Sequence, residues 1–191
     1  MVVTGAALVA APAAMAGGIN VTSPVAAPSL LAGTPAPNLG APLRVAAGGC
    51  RHAGARPGHA SSVVLRGAVQ CLINRQRALN GRRGVGVDGR LARAAGRHAA
   101  DMARHNYFGH VSLRGSSPLR RARSAGWRGG VGEALAWGCG TQTSPRATVS
   151  AWMASPPHRA ILLGRGHSVG IGMRRGHGCR GGRAFWVAEV G

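Results

Sequence analysis

The chain has 191 residues, enough for one folded domain with a tail and too few for a second sizeable core. Its 24 basic residues against 4 acidic ones give a net charge of +20, and every basic residue is Arg. One Tyr and two Phe provide no aromatic platform for stacking bases, which argues against nucleic acid as the partner.

The cations have two readings. A GC-rich coding bias would spell every cation as Arg. An anion-binding surface would attract envelope polymers or lipid head groups. From Arg66 onward there are 21 Arg and 4 acidic residues, so the charge belongs to the domain as well as to the tail.

Met1 to Ala16 is apolar, built of small residues, and ends in Ala14-Met15-Ala16, the pattern of a secretory signal peptide and its cleavage site. The positively charged start of such a leader is missing, which points to a start further upstream or to an apolar region that acts alone. Gly17 to Ala60 is rich in Ala, Pro, Gly and Ser and is expected to be a disordered linker, ordered at most near Cys50. The domain is expected over 61–191. No apolar run is long enough for a transmembrane helix, so the expected product is exported and soluble. Cys50, Cys71, Cys139 and Cys179 suit two disulfides in such a protein. Of the three connectivities, pairing chain neighbours gives Cys50–Cys71 and Cys139–Cys179.

Ser61-Ser62 opens the first helix, with Leu65, Val69, Leu72, Gln76 and Leu79 at helical spacing and Gly81 as its stop. Val85-Gly86-Val87 reads as a connector. Asp88 caps a second helix that carries Leu91, Ala95, His98 and Met102 on one face; His98 among them reads as a hydrogen-bonded core histidine. Asn106 to Ser112 breaks the helical period. Ser117-Pro118 opens a third helix that stops at Gly126. Ser144-Pro145 caps the helix holding Val149, Trp152 and Met153. A Ser155-Pro156-Pro157 turn follows, and His158-Arg159 opens another apolar helix. Val169–Met173 and Ala184–Val190 read as strands joined through the Arg/Gly-rich segment from Arg174 to Arg183. The order of elements is that of an α+β domain.

Three groups could carry chemistry: His110 in Phe-Gly-His, Glu133 in Gly-Glu-Ala, and His158 after the double proline. Two neutral imidazoles and a carboxylate suit an open zinc site, or an acid–base pair in a cleft. The competing reading makes Glu133 a buried polar anchor that accepts backbone and histidine N–H bonds and locks the loops. Ser112 and Ser155 are weak nucleophile candidates, since no G-x-S-x-G elbow is present and Ser155 before Pro reads first as an N-cap.

The run from Cys71 to Arg77, the segment Leu91 to Met102, Tyr107 to His110, Gly132 to Gly138, Ala151 to Arg159 and Gly170-Ile171-Gly172 follow one another as in bacterial members of the CAP superfamily (SCP domain), which the chain resembles from about Leu65 to its end. The resemblance implies an α-β-α sandwich with a central antiparallel sheet and a large solvent cleft. It implies that His110, Glu133 and His158 line the cleft as three of a tetrad able to hold zinc or another divalent cation. The fourth, a Glu in animal and plant members, falls on Ser155, as is usual in bacterial ones. The family's Asn after the Glu is Ala134 here, and its Ser before the first His is Gly109; the first change removes an amide that could orient the glutamate.

The expectation is a secreted, non-enzymatic module whose cleft binds a lipid, a small molecule, a protein partner or a metal. Two alternatives stand beside it: a metal-dependent hydrolase of envelope peptides or esters with Glu133 as base, and an Arg-rich binder of anionic envelope polymers.

Overall fold

Side-chain caps start four of the five α-helices among the described residues. The computed structural model describes residues 49–191, so the leader and most of the linker lie outside the described residues. In helix α1 (Ser62–Leu79) the Ser61 hydroxyl accepts from the Val64 amide, and in α2 (Gly89–His105) the Asp88 carboxylate accepts from Arg90 and Leu91. Ser117 and Ser144 do the same for α3 (Pro118–Ser124) and α4 (Pro145–Ala154), each with Pro in the first turn. Helix α5 (Pro156–Leu162) starts differently. Ser155 sits at its N-cap but its hydroxyl makes no capping bond, and Pro156 and Pro157 set the entry.

The strands are β1 (Gly86–Val87), β2 (Gly132–Cys139), β3 (Ser168–Gly176) and β4 (Arg183–Val190), in spatial order β1-β3-β4-β2. The β3–β4 and β4–β2 pairs are antiparallel, and β1 adds parallel to β3 at one edge. Thus Val85-Gly86-Val87, read as a connector, contributes a two-residue edge strand. Asn74 on α1 holds its start, donating to the Val85 carbonyl at 3.1 Å and accepting from the Val85 amide at 2.7 Å. Gly132–Cys139, to which no element is assigned above, is the other edge strand.

Alternation along the strands separates two cores. Val169 and Ile171 of β3 join Trp186, Ala188 and Ala134 against Leu65, Val69 and Ile73 of α1 and Trp152 of α4. Leu135, Phe185 and Val187 pack against Ala95, Ala99 and Met102 of α2 on the opposite face. The result is an α-β-α sandwich.

On β3, the α2 side carries Gly170 and Gly172. A Cβ at Gly170 would lie 2.0 Å from the Leu91 backbone carbon, and one at Gly172 would lie 2.2 Å from the Ala95 carbonyl oxygen. The helix backbone therefore lies directly on the sheet, an approach that only glycine permits.

Both disulfides form as expected, Cys50–Cys71 and Cys139–Cys179. The first ties the end of the compositional linker to α1. Ala53 is buried, and its carbonyl accepts from the Arg146 amide at 2.8 Å, so residues 50–60 pack onto the domain rather than trailing from it.

Arg77 is a buried cation without a carboxylate. It donates to the carbonyls of Arg83 at 2.6 Å, Leu162 at 2.7 Å, Gly164 at 3.2 Å and Gly166 at 3.0 Å. It thereby satisfies carbonyls at the C-terminal end of α5, which a helix leaves unpaired, and anchors the helix that carries His158.

Candidate functional site

Three separate elements supply the site: the 106–117 loop holds His110, the start of β2 holds Glu133, and α5 holds His158. The loop is fastened from beneath by His98, whose Nε2 donates to the Gly109 carbonyl at 2.9 Å. This is the hydrogen-bonded core histidine expected from its apolar neighbours. Burial is the first cause of its lowered pKa and the Arg121 charge the second.

His110 Nδ1 donates to Glu133 Oε1 at 2.8 Å. The His110 side chain is half exposed while that of Glu133 is buried. The other carboxylate oxygen, Oε2, accepts from Arg121 of α3 at 2.5 Å. The same guanidinium donates to the carbonyls of His110 at 2.9 Å and Ser116 at 2.6 Å. Arg121 therefore straps both ends of the loop to the strand, and Glu133 is the polar anchor that locks them.

His158 faces His110, with ring centroids 6.4 Å apart. Its pKa is lowered, first by burial and then by the neighbouring His110. Ser155 is half-buried at the helix start, and no hydrogen bond joins its hydroxyl to the two histidines or to Glu133 among the described residues. Ser112 has a structural task, accepting from the Ser116 amide at 3.0 Å to close a turn. Ala134 lies fully buried in the core on the opposite face of the sheet from Glu133. An amide at that position would not face the carboxylate; Arg121 is what orients it.

Two residues of this network escape a reading of the sequence, Arg121 and Glu189. Glu189 is fully buried and sits opposite Glu133 in the β2–β4 register. Arg121 Nε lies 4.0 Å from its Oε1. Burial, reinforced by the charge of Glu133, pushes the Glu189 carboxyl up to about 8. A signal existed, since Glu189 is an acid on the inward face of the strand, in step with Phe185 and Val187. Nothing local distinguishes Arg121 from the other arginines.

As for a metal, both oxygens of Glu133 are already engaged, and among the described residues no three His, Cys, Asp or Glu side chains stand together at ligand spacing. The donors left for a cation are His110 Nε2 and the ring of His158. A His backed by a carboxylate through its other nitrogen is a familiar metal-binding arrangement, so the two imidazoles fit zinc with Glu133 behind them.

The sequence model of the Cysteine-rich secretory protein family, CAP, matches residues 71–190, a span that includes all of these residues. The chain belongs to the CAP family. This CAP chain is 33% identical over 103 residues to the uncharacterized protein YkwD of Bacillus subtilis (strain 168), covering 53% of the chain and 39% of that protein. In fold it is similar to an extracellular protein containing a SCP domain from Bacillus anthracis, with a TM-score of 0.55 and 20% identity over 69% of this chain and 43% of that one. An outer surface protein of Borrelia burgdorferi aligns with a TM-score of 0.52 and 21% identity, covering 64% of this chain and 88% of that one. The CAP chain thus spans less than half the length of the two Bacillus proteins. Among its described residues no helix is long and apolar enough to cross a membrane.

Proposed function

We propose that this CAP domain is an exported binding module rather than an enzyme, and that its half-exposed His110–His158 pair takes a ligand or a divalent cation such as zinc. The observation that carries this reading is the engagement of both Glu133 oxygens, by His110 and by Arg121. A hydrolase would need that carboxylate as its base, and removing it from its partners would release a buried charge. The imidazoles, by contrast, are accessible, and lowered basicity keeps His158 neutral and able to ligate near neutral pH. A bound zinc ion would supply Lewis acidity at the mouth of the site; the protein's part would be to hold it on two histidines and to keep the His110 ring oriented through Glu133. Export is supported by the two disulfides and by the extracellular and outer-surface nature of the structural relatives.

Zinc titration of metal-free protein by calorimetry tests the reading. A binding heat that disappears in His110→Ala and His158→Ala is expected, and an unchanged heat in both variants would overturn the metal site. Peptide and ester screens address the hydrolase. Turnover by the wild type that is lost in Glu133→Gln would favour an enzyme over a binding module.

A further inference from the structure

Three of the four acidic side chains of this chain are already paired, and the fourth, Glu189, is fully buried. Asp88 pairs with Arg90, Asp101 with His105, and Glu133 with His110 and Arg121; Glu189 faces Arg121. No acid remains to pair with the exposed arginines around α2, and these converge on three cavities that adjoin one another. The first, about 420 Å³, lies between α2 and the 112–121 segment and is lined by Arg97, Arg104 and Arg114. The second, about 320 Å³, shares Arg104 and adds Arg174 and Arg175 at the end of β3. The third, about 490 Å³, shares Arg174 and Arg175 and reaches Arg66 on α1. The shared arginines set the three side by side along one arginine-lined path.

We propose that this path is a binding track for a linear, non-aromatic polyanion, a sugar or polyol polymer carrying phosphodiester or carboxylate charges. Guanidinium forks bind either anion through paired hydrogen bonds. Arg97 and Arg104 stand two turns apart on one face of α2, about 10 Å along its axis, so the track matches repeated charges better than one small anion. Large apolar side chains are almost absent from the lining; Met173 is the exception and is itself buried. A membrane surface would call for an apolar face to insert, and single-stranded nucleic acid for aromatic rings on which to stack. The one acid in the lining, Asp101, accepts from the Tyr107 hydroxyl and from His105, and Arg97, Arg104 and Arg114 outweigh its charge there.

The track does not include His110 or His158 and meets the network behind them at His98, Ser116 and Arg121, none of which the track variant alters, so the two readings fail separately. The test uses the full chain and fluorescently labelled glycerol-phosphate oligomer, oligogalacturonate and oligothymidylate of matched charge, followed by anisotropy across a salt series. The triple variant Arg104→Ser, Arg174→Ser, Arg175→Ser is compared with Arg82→Ser, Arg83→Ser, Arg128→Ser, which removes the same charge elsewhere. The track variant should bind the glycerol-phosphate or galacturonate oligomer at least about tenfold more weakly, with a shallower salt dependence, while the control stays within about twofold of wild type. Whichever of the two oligomers binds more tightly identifies the anion. His110→Ala with His158→Ala should leave this affinity unchanged. Equal losses in both triple variants, tighter binding to oligothymidylate, or no binding to any of the three would overturn the track.

Discussion

Glu133 and Glu189 stand directly opposite each other across the β2–β4 ladder, two carboxyl groups buried side by side. Like charges so placed repel. Two features of the fold relieve the conflict: Arg121 reaches both residues, and the Glu189 carboxyl is raised to about 8, so that it holds its proton at neutral pH. Glu133 can then carry the single negative charge shared by Arg121 and His110.

The raised Glu189 sets a sign for the dependence of stability on pH. Between its ordinary value of 4.5 and about 8, the folded chain holds a proton that the unfolded chain has released. Its contribution is therefore full below the unfolded value and is lost as pH rises through the folded one. His98 and His158, both lowered from 6.5, act in the opposite sense: their contribution is full above 6.5 and falls away as pH drops through their folded values. Thermal unfolding of Glu189→Gln against wild type isolates the carboxyl. The Tm difference should shift in favour of the variant from pH 5 to pH 8, and a difference that does not change with pH would refute a raised Glu189.

Arg121→Ala should leave two buried carboxyls facing each other with no cation between them and free both ends of the 110–116 loop. Breaking a buried pair from one side costs about 3–5 kcal/mol. Urea unfolding should report a loss of that order. Arg121→Lys should recover only part of it, because one ammonium cannot reproduce the fork that serves the His110 carbonyl, the Ser116 carbonyl and Glu133 together.

Gly172→Ala places a methyl group 2.2 Å from the Ala95 carbonyl oxygen, and α2 must lift from the sheet to admit it. Overpacking usually costs about 1–3 kcal/mol, and here the obstacle is helix backbone rather than a flexible side chain, so a loss at or above about 3 kcal/mol is expected. Gly96→Ala on α2 is the control, since nothing lies within 4 Å of a Cβ there. Chemical denaturation of the two variants should separate them clearly.

Replacing Cys139 and Cys179 together with Ser should lower stability by roughly 2–4 kcal/mol, the scale for a loop of this order. Denaturant midpoints of the double variant and wild type measure it. Non-reducing peptide mapping checks the pairing, and a Cys50–Cys179 or Cys71–Cys139 peptide would contradict the fold.

The site residues were legible to different degrees. His110, Glu133 and His158 are marked by motifs, and the chain does bring them together: the first two are bonded, and the third places its ring 6.4 Å from that of His110. Ser155 was marked as an N-cap and as the place of the family's fourth acid, and it sits at a helix start without a capping bond. Arg121 could not be singled out, because every cation in the chain is Arg and its distinction lies in what surrounds it.

The sequence by itself determined where four of the five described helices begin, which faces they bury, and the strand pair at the C-terminal end. These follow from caps and periodicity, which act over a few residues. The fifth helix starts at Pro156, ahead of the His158 read as its opening, because proline suits the first turn of a helix. The sequence also marked three polar groups as candidates for one cleft. Only the tertiary structure decided that Gly132–Cys139 is an edge strand, that its register sets Glu133 against Glu189, and that one arginine among 24 bonds the first and stands beside the second. The physical reason is that cross-strand register and charge pairing depend on residues far apart in the chain, whose meeting is fixed by packing. The role of Glu133 as anchor was decided at that level, by its neighbours rather than by its motif.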